Sequence, residues 1–135
     1  MERKLEWIAA EQALTESCQK AVDSGLTMVW DRYGIKWLCQ EVPYEIDEDK
    51  AVCAIGSYLI GKQAIKGIML HKVAGRHLNV SSSWVSGLEH SFGDFDKDDP
   101  STRFYKDDLA GWEDGYEAGL RLREKFLPQR YHYDV

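Results

Sequence analysis

Between Lys50 and Leu88 there is no aspartate or glutamate, in a chain of 135 residues whose formal net charge is −6. That stretch carries Lys50, Lys62, Lys66, Lys72 and Arg76, so acid and base are segregated along the sequence. The acidic total argues against indiscriminate nucleic-acid binding by the whole molecule, while leaving a local basic face open. Long apolar runs are missing too. None approaches the roughly 18 residues of a membrane-crossing helix, and Met1-Glu2-Arg3-Lys4-Leu5-Glu6 lacks the apolar core of a secretion signal. Both absences predict a soluble, cytoplasmic protein. Cysteine is scarce: Cys18, Cys39 and Cys53 are odd in number and form no close-spaced pair. This argues against a disulfide framework or a Cys-rich zinc site and predicts free thiols, buried or half-buried. Only three prolines occur.

What is present describes a globular chain. Hydrophobic residues make up 44%, with five Trp, seven Tyr and four Phe, more aromatics than disorder allows. The length suits one domain spanning residues 1–135 with one core. Trp7, Ala10, Leu14, Cys18, Ala21 and Val22 recur three and four apart, predicting a helix over 1–24 that Gly25 stops as a left-handed cap. Glu11, Glu16 and Lys20 fall on its polar side, with Glu16 and Lys20 spaced for a helical ion pair.

From Thr27 to Ile46 the β-branched and aromatic content is high, and Asp31-Arg32-Tyr33-Gly34 fits a type I turn. A small hairpin, Met28 to Trp30 with Ile35 to Val42, is the preferred reading. A helical register through Leu26, Trp30, Tyr33 and Trp37 competes with it. The acids of Ile46-Asp47-Glu48-Asp49 suit the start of a helix near Lys50. A further helix is expected from about Gln63 to His77, with Lys62, Lys66, Lys72 and Arg76 outward. Gly93 to Thr102 reads as a loop, and the last helix as Arg103 to Leu127, stopped by Pro128, with Leu109, Trp112, Tyr116, Leu120 and Leu127 as its apolar stripe. Beside that stripe Gly111, Gly115 and Gly119 stack along one line of the helix. Each costs about 1 kcal/mol relative to alanine, so an offsetting close contact is implied. A neighbouring helix of the same domain is the preferred source of that contact, and a second subunit or a partner is the alternative. The expected fold is therefore mainly α (α+β), a helical domain with a small hairpin in its N-terminal third.

Several patterns bear on chemistry. Gly75, Leu78, Asn79, Val80, Val85 and Leu88 occupy the spacing of a helix-turn-helix, and the segment resembles that of small repressor proteins, with Ser81 capping the second helix. Lys62, Lys66, Lys72 and Arg76 would then meet phosphates and Ser82, Ser83 and Ser86 would face bases. That face lacks the Arg, Lys, Gln or Asn best suited to base edges, so a helix-turn-helix used only for packing is the preferred reading. Gly56 to Gln63 has a phosphate-loop spacing, yet Gln63 stands where Ser or Thr would hold Mg²⁺. Asp94, Asp96 and Asp98 repeat the first ligand places of a calcium loop, but Asp99 replaces its glycine and Tyr105 its closing glutamate. A solvated acidic loop is the plainer reading. Cys53 has no base that spacing nominates among His71, His77, His90 and His132. No catalytic residue, metal or cofactor is expected.

One resemblance covers more of the chain. Cys53-Ala54-Ile55-Gly56, Leu78-Asn79-Val80-Ser81, Trp84-Val85-Ser86-Gly87-Leu88, Phe92, Phe95-Asp96 and Gly115-Tyr116-Glu117-Ala118-Gly119 with Arg121 and Arg123 resemble a pattern of small bacteriophage and prophage proteins, over about residues 50 to 123. It implies a phage-type accessory protein in the host cytoplasm. The acidic block from Glu89 to Glu117 holds ten acids against three bases and could mimic a phosphate backbone or engage a basic partner; solubility alone would also explain it. The leading expectation is a non-enzymatic protein that modulates or inhibits a host nucleic-acid-handling or defence complex. Its partner-binding residues would be Asp94, Asp96, Asp98, Asp99, Asp107, Asp108, Glu113 and Asp114. The alternative is a helix-turn-helix DNA-binding transcriptional regulator. A homodimer through the Gly111/Gly115/Gly119 helix is a further option.

Overall fold

A computed structural model describes residues 2–28, 51–52, 54–61, 70–92 and 108–127. They are mostly helical: α1 (Leu5–Asp23), α2 (Ala54–Gly61), α3 (Leu70–Leu78), α4 (Ser82–Phe92) and α5 (Leu109–Phe126), with two-residue strands β1 (Thr27–Met28) and β2 (Ala51–Val52). The strands pair in parallel, Thr27 with Ala51 and Met28 with Val52. The expected hairpin is not supported: Met28, its first residue, pairs with Val52, and the rest of it lies outside the described residues. The helix expected near Lys50 begins at Ala54, because Ala51 and Val52 are taken by the strand pair.

Two helix ends use the same device. Past α1, Leu26 N–H donates to Ala21 C=O at 2.9 Å and Gly25 N–H to Val22 C=O at 3.1 Å, with Gly25 at φ 94°. Past α3, Val80 N–H donates to Gly75 C=O at 2.9 Å and Asn79 N–H to Arg76 C=O at 3.4 Å, with Asn79 at φ 60°. Each is the reversal that satisfies the last carbonyls of a helix and needs a left-handed residue, which glycine and asparagine tolerate best. Gly75 must also be small, since a Cβ there would stand 2.8 Å from the Val80 carbonyl oxygen. The chain thus folds back tightly from α3 into α4.

Helix α4 lies at the centre. Trp84, Val85, Leu88 and Phe92 are buried in one core with Ala10, Leu14 and Cys18 of α1, Ile55 and Tyr58 of α2, Ala74 and Leu78 of α3, and Ala118 and Leu122 of α5. α4 and α5 run side by side in the same direction: Ser81 meets Asp108 at their starts, and Gly119 faces Leu88 and Ser91 further on. A Cβ on Gly115 would overlap the Trp84 carbonyl, one on Gly119 the Leu88 carbonyl and Ser91 hydroxyl, and one on Gly87 the Trp112 carbonyl. The glycine line is the seat of α4.

That packing corrects two expectations. Gly111, Gly115 and Gly119 are covered within the same chain, so they cannot form the homodimer contact. The buried side of α5 is Gly111, Trp112, Gly115, Ala118, Gly119 and Leu122, whereas Leu109 and Leu120 of the expected stripe are exposed. The helix starts at Leu109, later than Arg103, because Asp108 occupies its cap; residues 103–107 lie outside the described ones. Leu127 leaves α5 extended, at ψ 121°, as a residue before proline must.

Candidate functional site

Two polar constructions organise the surface where α1, α4 and α5 meet. The first is a shared cap. Asp108 Oδ1 accepts from Gly111 N–H at 3.0 Å, and Oδ2 accepts from the Ser81 hydroxyl at 2.9 Å, whose oxygen in turn accepts from Trp84 N–H at 3.2 Å. Two parallel helices place two positive ends together, and one carboxylate between them serves both.

The second is a four-charge network. The Arg3 guanidinium donates to both oxygens of Asp114, at 2.8 Å each, and to Glu11 at 2.9 Å. Arg121 donates to the same Glu11 carboxylate at 2.8 and 2.7 Å. The Trp84 indole N–H donates to Asp114 Oδ1 at 2.9 Å. The extended residues before α1 are thereby fastened to α5 and, through Trp84, to α4. Burial works to raise the Asp114 carboxyl, but hydrogen bonds from Arg3 and Trp84 outweigh it and hold it below its ordinary range. Glu11 is lowered in the same way: burial opposes, and Arg121 and Arg3 prevail. Hydrogen bonding to Asp114 raises Arg3, and bonding to Glu11 raises Arg121. All four charges are pushed further from neutrality, the opposite of the tuning that proton transfer near neutral pH calls for. The network is a clamp.

Several sequence-derived candidates acquire internal roles. Asp108 is the shared cap and is half-buried, and Asp114 sits inside the clamp with a side chain only 10% exposed. Glu113 is exposed. Asp94, Asp96, Asp98, Asp99 and Asp107 lie outside the described residues, as do Lys62 and Lys66. Lys72 lies on α3, and Arg76 is exposed at its last turn. Of the proposed base-reading face, Ser82 is half-buried while Ser83 and Ser86 are 3% and 0% exposed. α4 is enclosed by its neighbours, so these two serines offer nothing to a nucleic-acid groove. Gly56 to Gly61 lie within helix α2 and form no phosphate loop.

Glu11, expected in solvent, is half-buried in the clamp. Glu16 and Lys20 do not pair; Gln19 instead donates to Asp23 at 2.9 Å. Cys18 lies against the Ser57 hydroxyl at 3.8 Å, and burial pushes its thiol up to about 12 although that hydrogen bond opposes. No group of three side chains able to hold a metal gathers among the described residues, and no helix among them is long and apolar enough to cross a membrane.

Among the described residues, two solvent-facing features stand out. An open groove of about 950 Å³ lies between the start of α1 and the α3–α4 turn, with Trp7, Arg76, Asn79 and Val80 in its walls. Its Lys4 and Arg76 are balanced by Glu2 and Glu6. The other feature is the outer side of α5, where Leu109 and Leu120 are 52% and 37% exposed beside exposed Glu113, Glu117 and Glu124. No described element packs over it. No protein-family model, curated protein or solved structure matches the chain.

Proposed function

We propose that the protein is a non-enzymatic, phage-type binding protein that modulates or inhibits a host nucleic-acid-handling or defence complex through a charged surface. The observation that carries this reading is the outer side of α5. There Glu113, Glu117 and Glu124 make no ion pair among the described residues, in contrast to Asp108, Glu11 and Asp114, whose charges are spent on internal contacts. Acids held on a rigid helix and left uncompensated steer a basic partner and set its orientation. The phage context comes from the resemblance over residues 50 to 123.

The rival reading, a DNA-binding regulator, requires α4 to lie against base edges. Enclosure of Ser83 and Ser86 supports the protein-binding reading over it. The test is affinity capture from bacterial lysate, run in parallel with and without nuclease. The reading expects a retained protein partner that elutes as salt is raised, because screening weakens exposed charge pairs. A column that retains DNA and no protein contradicts it.

A further inference from the structure

The outer side of α5 combines two properties that a partner must match together. On a helix of 3.6 residues per turn, Leu109, Glu113, Leu120, Glu117 and Glu124 fall within about 80° of one another. The two leucines line one side of that strip and the three glutamates the other. No lysine or arginine interrupts it from Leu109 to Leu120, and the next base, Arg121, is held by Glu11. The leucines stand about 16 Å apart along the axis, roughly three turns, which is the span of one short helix laid alongside. The other side of α5 is closed against α4, so this strip is rigidly presented.

We infer that the outer side of α5 is a docking surface for a basic amphipathic helix of a partner protein. The partner's apolar side would cover Leu109 and Leu120, and its lysines or arginines would pair with Glu113, Glu117 and Glu124. Recognition of an amphipathic helix by an apolar strip is a recurring binding mode. Here the acidic border selects the sign of the partner and fixes which side of it turns inward. The inference deepens the protein-binding reading and rests on it.

The experiment uses the full chain and a labelled helical peptide of leucine and lysine, about as long as α5, followed by fluorescence anisotropy. A leucine and glutamate peptide of the same pattern serves as control. The triple variant E113K/E117K/E124K is compared with E6K/E16K/D23K, which changes net charge equally on exposed positions of α1. The surface predicts weakening of about tenfold or more for the α5 triple and about threefold or less for the α1 triple, since the short-range pairs and not the distant field are removed. L109A/L120A, at exposed positions that leave the core intact, should also weaken binding and do so at high salt, where charge is screened. Equal weakening by both triples, an unaffected L109A/L120A variant, or equal binding of the glutamate peptide would each overturn the surface. Those results bear on this face alone, whereas retention of DNA without protein in the capture experiment removes the reading beneath it.

Discussion

Single residues carry most of what is distinctive here, and the glycines of α5 do so by having no side chain. Gly115→Ala drives a Cβ into the Trp84 carbonyl of α4. Backbone cannot move aside as a flexible side chain can, so destabilisation of about 3 kcal/mol is expected, read from the denaturant midpoint. Asn79 sits at φ 60°; Asn79→Ala should cost about 1 kcal/mol from the left-handed conformation, and Asn79→Gly little or nothing. Asp114 gives a pH prediction. Its folded pKa is depressed below the ordinary 3.8, so its contribution is full above that value and is lost as pH falls through the folded one. Glu11, depressed below 4.5, acts with the same sign. Stability should therefore decline as the solution is acidified below about pH 5, and Asp114→Asn should flatten that decline in unfolding curves at successive pH values.

At the scale of helices, the start of α4 and the start of α5 are one unit. Ser81→Ala removes the cap of α4 and one partner of Asp108; Asp108→Ala removes the cap of α5 and the partner of Ser81. Each should cost about 1 to 2 kcal/mol. Because the second change finds its contact already gone, the double variant should cost less than the sum by roughly 1 kcal/mol, measured as a double-mutant cycle. Much of this scale is legible in sequence. Gly25, Asn79 and Ser81 announce two helix ends and one start through local chemistry, and the spacing of Gly111, Gly115 and Gly119 announces a close neighbour. The face of α5 is not legible by the same logic. Apolar periodicity selects Leu109 and Leu120, yet the buried line is made of glycines that carry no apolar side chain to count. The start of α2 is hidden for a related reason: acids before Lys50 suit a helix, but parallel pairing with Thr27 and Met28 claims Ala51 and Val52 first.

For the whole molecule, the contacts that join distant parts leave almost no local trace. Arg3 and Asp114 lie 111 positions apart, and Glu11 reads as an ordinary solvent-facing acid until Arg3 and Arg121 close on it. Asp108 and Asp114 read as members of an acidic block, and only the fold shows that their charge is used inside. On α5 the exposed acids that make no ion pair among the described residues, Glu113, Glu117 and Glu124, are concentrated on the outer side. α4 is a packing helix seated on the glycine line, and the proposal built on it is that the protein meets other proteins and not duplex DNA. The most direct test is an anisotropy titration of labelled mixed-sequence duplex DNA at about 50 and 200 mM salt, a range over which a phosphate-contacting protein loses orders of magnitude in affinity. No measurable binding at either salt is predicted. Tight binding at the lower concentration that collapses at the higher one, and that Arg76→Ala weakens, would contradict the account.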